Sequence, residues 1–120
     1  MKMILTIDDS RTMREMLRRT LQDAGFDVKQ AEDGVDGLEK LAEERPDVII
    51  TDVNMPRMDG LTFIENVRLN EAYRGIPILV LTTESDAEKK ARAKNAGATG
   101  WIVKPFDPPK LVTAINRVAA

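Results

Sequence analysis

The sequence predicts an α/β fold, a doubly wound five-stranded parallel sheet of order 2-1-3-4-5 with five helices, on three observations. Short apolar runs alternate with segments of helical period from end to end, which implies parallel strands joined by right-handed crossovers with helices on both faces. Two of those runs, Val48-Ile49-Ile50 and Ile78-Leu79-Val80-Leu81, are continuously apolar, as central strands covered on both sides should be. The run Asp27 to Ala31 carries Lys29 and Gln30, so it belongs at an edge.

Taken in order, the first strand is expected over Met3 to Asp8. Helical spacing follows in Met13, Leu17 and Leu21 and ends at Ala24-Gly25, with the glycine just past the last turn. Asp27 to Ala31 is the second strand; Leu38, Leu41 and Ala42 mark a second helix, stopped by Pro46. Val48 to Asp52 is the third strand, and Leu61, Ile64 and Val67 carry the third helix. Ile78 to Thr82 is the fourth strand. The segment after it, Asp86 to Ala96, is Ala-rich with only small apolar residues on its face, so it should pack lightly and move easily. Trp101 to Lys104 is the last strand. Leu111, Ile115 and Val118 form the final helical stripe, opening after Asp107-Pro108, where Asp can cap and Pro fits the first turn. No linker, repeat or low-complexity stretch interrupts this, so residues 1–120 read as one domain without an appended output module.

Composition narrows the chemistry. The chain has 120 residues, 42% hydrophobic and 32% charged, which suits one folded domain. Eighteen Lys and Arg against 20 Asp and Glu leave a net charge of −2, no field with which to hold a nucleic acid. There is no Cys and no His, which excludes disulfides, thiolate nucleophiles, Ser-His triads and His- or Cys-ligated metals. Apolar runs are far shorter than the roughly 20 residues of a membrane helix, and the N-terminus lacks a secretory apolar stretch. A cytoplasmic protein is expected, with any chemistry left to carboxylates, hydroxyls and amines.

Polar residues collect at the carboxyl ends of the expected strands. The first ends in Asp8-Asp9, the third in Asp52, the fourth in Thr82 and the fifth in Lys104. In an open parallel sheet, ligands bind outside those ends where the strand order reverses, here between strands one and three. Three carboxylates in one crevice repel each other unless one is protonated or a cation neutralises them. Oxygen ligands alone suit a hard divalent ion, and an incomplete protein shell suits Mg2+. Three carboxylates supply −3, and Mg2+ with Lys104 supplies +3. Such a site could stabilise a phosphoryl group placed on an aspartate. Asp52 is favoured as the nucleophile, because it follows the most buried strand and heads a long loop.

The motifs Ile7-Asp8-Asp9-Ser10, Asp52-Val53-Asn54-Met55-Pro56 with Met58-Asp59-Gly60, Thr82-Thr83-Glu84 and Lys104-Pro105-Phe106 together resemble the receiver domain of two-component response regulators. The resemblance spans the whole chain and is nearest to stand-alone chemotaxis regulators of the CheY type, notably in Ala31 to Gly37 and Ala96 to Trp101. It implies a flavodoxin-like fold, Asp52 as phosphoacceptor, and Mg2+ held by Asp9, Asp52 and the backbone carbonyl of Asn54, with Asp8 acting through a water. Lys104 would pair with the phosphoryl group, and Thr82 would swing its hydroxyl to it. Trp101 would move inward with that loop; the family usually has Tyr or Phe there. Asn54 and Glu84 stand where the family tunes acyl-phosphate lifetime. The implied partners are a CheA-like histidine kinase and a downstream target such as the flagellar motor switch, with the protein a monomer that is no enzyme beyond its own phosphorylation and dephosphorylation. The Lys104-Pro105 bond is cis in such domains.

Other readings stand beside this one. The same chemistry would serve a phosphorelay shuttle or a phosphate sink. A Mg2+-dependent phosphohydrolase would use an aspartyl phosphate too, but typically needs a second carboxylate two residues after the nucleophile, where this chain has Asn54. A receiver-like interaction module would never be phosphorylated. Asp8-Asp9 can also be read as capping a helix that starts near Arg11, and Trp101 as plain packing. Met13 and Met16 read as packing or edge residues. Arg11, Arg14, Arg18 and Arg19 read as a solvated face with Glu15 and Asp23 as possible partners. Lys89, Lys90, Arg92 and Lys94 read as solvated or as facing an acidic partner.

Overall fold

Alternation of side chains along five strands builds the molecule. The structure is a computed structural model and describes residues 1–119. Strands β1 (Met3–Ile7), β2 (Asp27–Ala31), β3 (Val48–Thr51), β4 (Ile78–Thr82) and β5 (Gly100–Val103) pair in parallel in the order β2-β1-β3-β4-β5. Because successive residues point to opposite faces, Leu5, Ile7, Ile49, Ile78 and Val80 meet Leu61, Phe63, Ile64 and Val67 on one side. Ile4, Val48, Ile50, Leu79 and Leu81 meet Leu17, Leu21, Leu111 and Ile115 on the other. Every residue of β1, β3 and β4 is buried, whereas β2 is exposed at Asp27 and half-buried over Val28 to Gln30, as an edge strand should be.

Helices α1 (Arg11–Asp23), α2 (Gly34–Glu43), α3 (Gly60–Leu69), α4 (Ala87–Ala96) and α5 (Pro108–Val118) fill the crossovers. Their N-caps are Ser10, Asp33, Asp59, Asp86 and Asp107, each accepting a backbone N–H of the first turn. The cap of α1 is therefore Ser10 rather than Asp8 or Asp9, which frees both acids from that structural role. Gly25, at φ +92, closes α1 as the Ala24-Gly25 pair predicts. Ala42 faces solvent instead of joining the apolar stripe of α2, which Leu41 and the half-buried Leu38 form against the sheet. A 3-10 turn at Glu71–Tyr73, opened by Asn70, was not expected; three residues carry no readable period.

Packing is uneven. Of α4, only Ala93 is buried, and β5 is half-buried or exposed throughout. What fastens α4 is Arg68 at the end of α3. Its guanidinium donates to the carbonyl of Gly97, at 2.9 Å from Nη2 and 3.2 Å from Nε. It also donates to the carbonyls of Tyr73 at 2.9 Å and Arg74 at 3.0 Å. One cation thus serves the C-terminal ends of α4 and of the 3-10 turn, where carbonyl dipoles favour positive charge. No described helix is long and apolar enough to cross a membrane.

Candidate functional site

Register determines what meets at the carboxyl edge of the sheet. Ile7 lies opposite Thr51, so the next residues, Asp8 and Asp52, leave adjacent strands at the same level. The ladder runs on past them: Asp52 N–H donates to the carbonyl of Ile7 at 2.9 Å, and Asp8 N–H to that of Ala31 at 3.1 Å. Thr82 lies opposite Val103, and Lys104 N–H donates to the Thr82 carbonyl at 2.8 Å, which points the lysine back across β4 toward the acids. The acids and Lys104 thus stand one residue beyond strands expected to contain Asp8, Asp52 and Lys104. The Lys104-Pro105 bond is cis.

Asp8, Asp9 and Asp52 each bring a carboxylate oxygen within 4.8 Å of the others. Asp8 and Asp52 are buried and Asp9 is exposed. The Lys104 ammonium bridges the two buried acids, 2.7 Å from Asp8 Oδ2 and 3.0 Å from Asp52 Oδ2. Asp8 Oδ1 accepts from Ser10 N–H at 2.9 Å, and Asp52 Oδ1 from Val53 N–H at 2.7 Å, so both carboxylates are held at both oxygens. Burial pushes the Asp8 carboxyl above the ordinary carboxylate range, against the hydrogen bonds from Lys104 and Ser10. Burial alone would lower the Lys104 ammonium, but its hydrogen bonds to Asp8 and Asp52 outweigh that and leave it above the ordinary lysine value. One ammonium against three acids leaves a negative hole. All-oxygen donors of this charge fit a hard divalent cation such as Mg2+, with Asp9 open to solvent on the accessible side.

The remaining residues frame that hole. Thr82 is fully buried, and its hydroxyl accepts from Glu84 N–H at 3.1 Å. Asn54 is exposed and donates from its amide to Glu84 Oε2 at 3.3 Å, so the loops after β3 and β4 touch across the mouth. Lys89 lies 3.6 Å from the same carboxylate. Trp101 is half-buried and packs against the core on the side covered by α2, α3 and α4. It also lines a groove of about 440 Å³ between α4 and β5, with Lys90 and Lys94 at its rim.

Some residues behave differently from their sequence reading. Arg14 is half-buried and donates to the Asp8 carbonyl at 2.7 Å, so it is not part of a solvated face; Arg18 does pair with Glu15, at 2.6 Å. Arg92 reaches Glu65 at 3.0 Å. Met13 packs against the core while Met16 is 49% exposed. The pair of Asp33 with Arg57 had no signal in the sequence beyond Asp33 preceding a helix.

The model of the response regulator receiver domain matches residues 4–116. The chain belongs to that family. Chemotaxis protein CheY1 of Helicobacter pylori strain J99 is 44% identical over 117 residues, which cover 96% of this chain and 94% of that protein. Response regulator MprA of Mycobacterium leprae is 41% identical over 115 residues, 96% of this receiver chain but 50% of MprA. Among solved structures, chemotaxis protein CheY4 of Vibrio cholerae superposes with a TM-score of 0.93 at 50% identity, covering 98% of each chain. A CheY-like receiver domain protein of Methanospirillum hungatei reaches 0.93 at 26% identity, covering 99% of this chain and 94% of that one. The fold is thus the CheY-like, flavodoxin-like receiver fold, and the chain is a response regulator receiver related to chemotaxis proteins.

Proposed function

We propose that this receiver is a phosphorylation switch in chemotaxis, taking a phosphoryl group from a histidine kinase onto Asp52 with Mg2+ bound. The observation that carries the reading is the trio of carboxylates within 4.8 Å with a single ammonium between two of them. Asp9, Asp52 and the Asn54 carbonyl would hold the ion directly, and Asp8 through water. When bound, Mg2+ supplies the positive charge that the three acids lack. An Asp52 oxygen attacks phosphorus, and the bond to the donor imidazole breaks with its electron pair left on that nitrogen. The imidazole leaves neutral, its other nitrogen already carrying a proton. Val53 N–H and Lys104 hold the Asp52 carboxylate oriented beforehand. Lys104 then turns from the carboxylates to the new phosphoryl oxygens, and Thr82 exchanges Glu84 N–H for one of them.

Movement of Thr82 draws the loop after β4 inward, and α4, β5 and α5 form the face that changes affinity for a target at the flagellar motor. The groove beside Trp101, rimmed by Lys90 and Lys94, lies on that face. The receiver then works in the cytoplasm as a monomer, through protein contacts. Acetyl phosphate with Mg2+ should add one phosphoryl group by mass, and Asp52→Asn should add none. An equal gain in both, or none in either, overturns the assignment. Trp101 fluorescence should change with a beryllofluoride mimic in the wild type but not in Thr82→Ala; no change despite proven phosphorylation makes Trp101 plain packing. A relay or phosphate-sink role keeps the same site and differs by onward transfer to a second histidine protein. Turnover of small phosphate esters is not expected, because the residue two beyond Asp52 is an amide bonded to Glu84 rather than an acid.

A further inference from the structure

Arg57 stands at the tip of the loop that joins β3 to α3, and it is the one non-glycine residue with positive φ, +62, among the described residues. That left-handed conformation brings Cβ against its own backbone and is disfavoured for arginine, so something must hold it. What holds it is Asp33: Arg57 Nε lies 2.7 Å from Asp33 Oδ2, and Nη2 lies 3.0 Å from Oδ1, a two-pronged guanidinium–carboxylate pair. The Asp33 side chain is 3% exposed and also caps α2 through Asp36 N–H at 2.9 Å. A second tie runs alongside, from Gly34 N–H to the carbonyl of Met58 at 3.1 Å. A Cβ on Gly34 would lie 2.8 Å from that carbonyl oxygen, so the two segments approach as closely as backbone allows. At its base the loop closes on itself, Gly60 N–H donating to the Val53 carbonyl at 2.8 Å. Between base and tip lies Asn54.

We infer that the Asp33–Arg57 pair is a positioning latch for the metal site: it fastens the Asp52–Gly60 loop to the start of α2 and so presets the Asn54 carbonyl for Mg2+. The inference rests on the proposed Mg2+ site. Two facts set it apart from general fold stability. The Arg57 side chain is 53% exposed, so it contributes little to the core. The capping of α2 uses one oxygen of Asp33, which an asparagine would keep, whereas the pairing with Arg57 uses both oxygens. Partners that orient a ligand without touching the ion commonly govern affinity about 10- to 100-fold.

The test is calorimetric Mg2+ titration of the wild type, Arg57→Gln, Asp33→Asn, their double variant, and Arg57→Gly, which removes the latch together with the left-handed penalty. Mg2+ dependence of acetyl phosphate reaction is measured alongside. Each single variant should bind Mg2+ about 10-fold more weakly. The double should be no weaker than the singles, since both remove one interaction, and Arg57→Lys should recover part of the loss. Reaction at saturating Mg2+ should stay close to wild type. Unchanged Mg2+ affinity in Arg57→Gln and Arg57→Gly overturns the latch while leaving the metal site intact. A wild type that binds no Mg2+ overturns the metal site, and the latch with it. Additive losses in the double variant overturn the pair as one device.

Discussion

Among the described residues Lys104 is the only cation paired with the acid cluster, and replacing it with methionine tests how that cluster is held. Its side chain is 9% exposed, with Asp8 at 2% and Asp52 at 11%. Methionine keeps most of the volume, so packing changes little. What goes is the ammonium, leaving two buried carboxylates beside Asp9 with no positive partner. Removing one member of a buried pair costs about 3–5 kcal/mol, and Asp8 can limit that by taking up a proton, so a loss near the lower end, about 3 kcal/mol, is expected. Against a domain stability of about 5–15 kcal/mol this is a large fraction. Urea unfolding in EDTA at neutral pH reads it directly. Mg2+ should return part of it, because an ion bound only to the folded state adds about 2.7 kcal/mol at a hundred times its dissociation constant. The gain from Mg2+ should exceed the gain it gives the wild type. A variant as stable as the wild type in EDTA would mean that the acids do not need the ammonium, and the charge account of the site would be wrong.

Three further outcomes follow from the geometry. In Gly60→Ala, the new Cβ would lie 1.9 Å from the Asp52 carbonyl oxygen, a backbone atom that cannot swing away; chemical denaturation should show a loss of about 3 kcal/mol or more, and near-wild-type stability would contradict the contact. The Arg57 hydrogen bond holds the Asp33 carboxyl below its ordinary range, so the unfolded chain takes up that proton first as pH falls. The stabilisation is complete above the unfolded value of about 4 and disappears as pH drops through the folded one. The stability gap between wild type and Asp33→Asn should therefore narrow below about pH 4; a gap constant with pH would deny the ion pair its share. Phe63, fully buried between α3 and the sheet, should cost about 3–5 kcal/mol on truncation to alanine in the same urea assay, and less than about 1 kcal/mol would mean the core there is not packed as described.

Much of this architecture was readable from residues alone, for a physical reason. Strands buried on both faces must be apolar without interruption, so Val48 to Ile50 and Ile78 to Leu81 announced themselves as central, and Lys29 and Gln30 announced an edge. Once the order of strands is known, the acids and the lysine at their ends must converge, although Asp8 and Lys104 are 96 positions apart. The contacts that escaped have no period behind them. Asp33 and Arg57 sit in two loops 24 residues apart, and nothing local couples them. Arg14 looked like one more surface charge on α1 because its target is a carbonyl, which no residue type signals. Arg68 was missed for the same reason: all its partners are main chain.

That Arg68 grip gives α4 the mechanics of a cantilever. Its Gly97 end is clamped and Ala93 is seated nearby, while its Asp86 end rests on an exposed cap. Amide hydrogen exchange should therefore slow progressively from Glu88 toward Ala96, instead of fraying evenly from both tips. A small displacement of the loop after β4 would be translated into an angular sweep about a fixed root, with the widest travel where the helix begins.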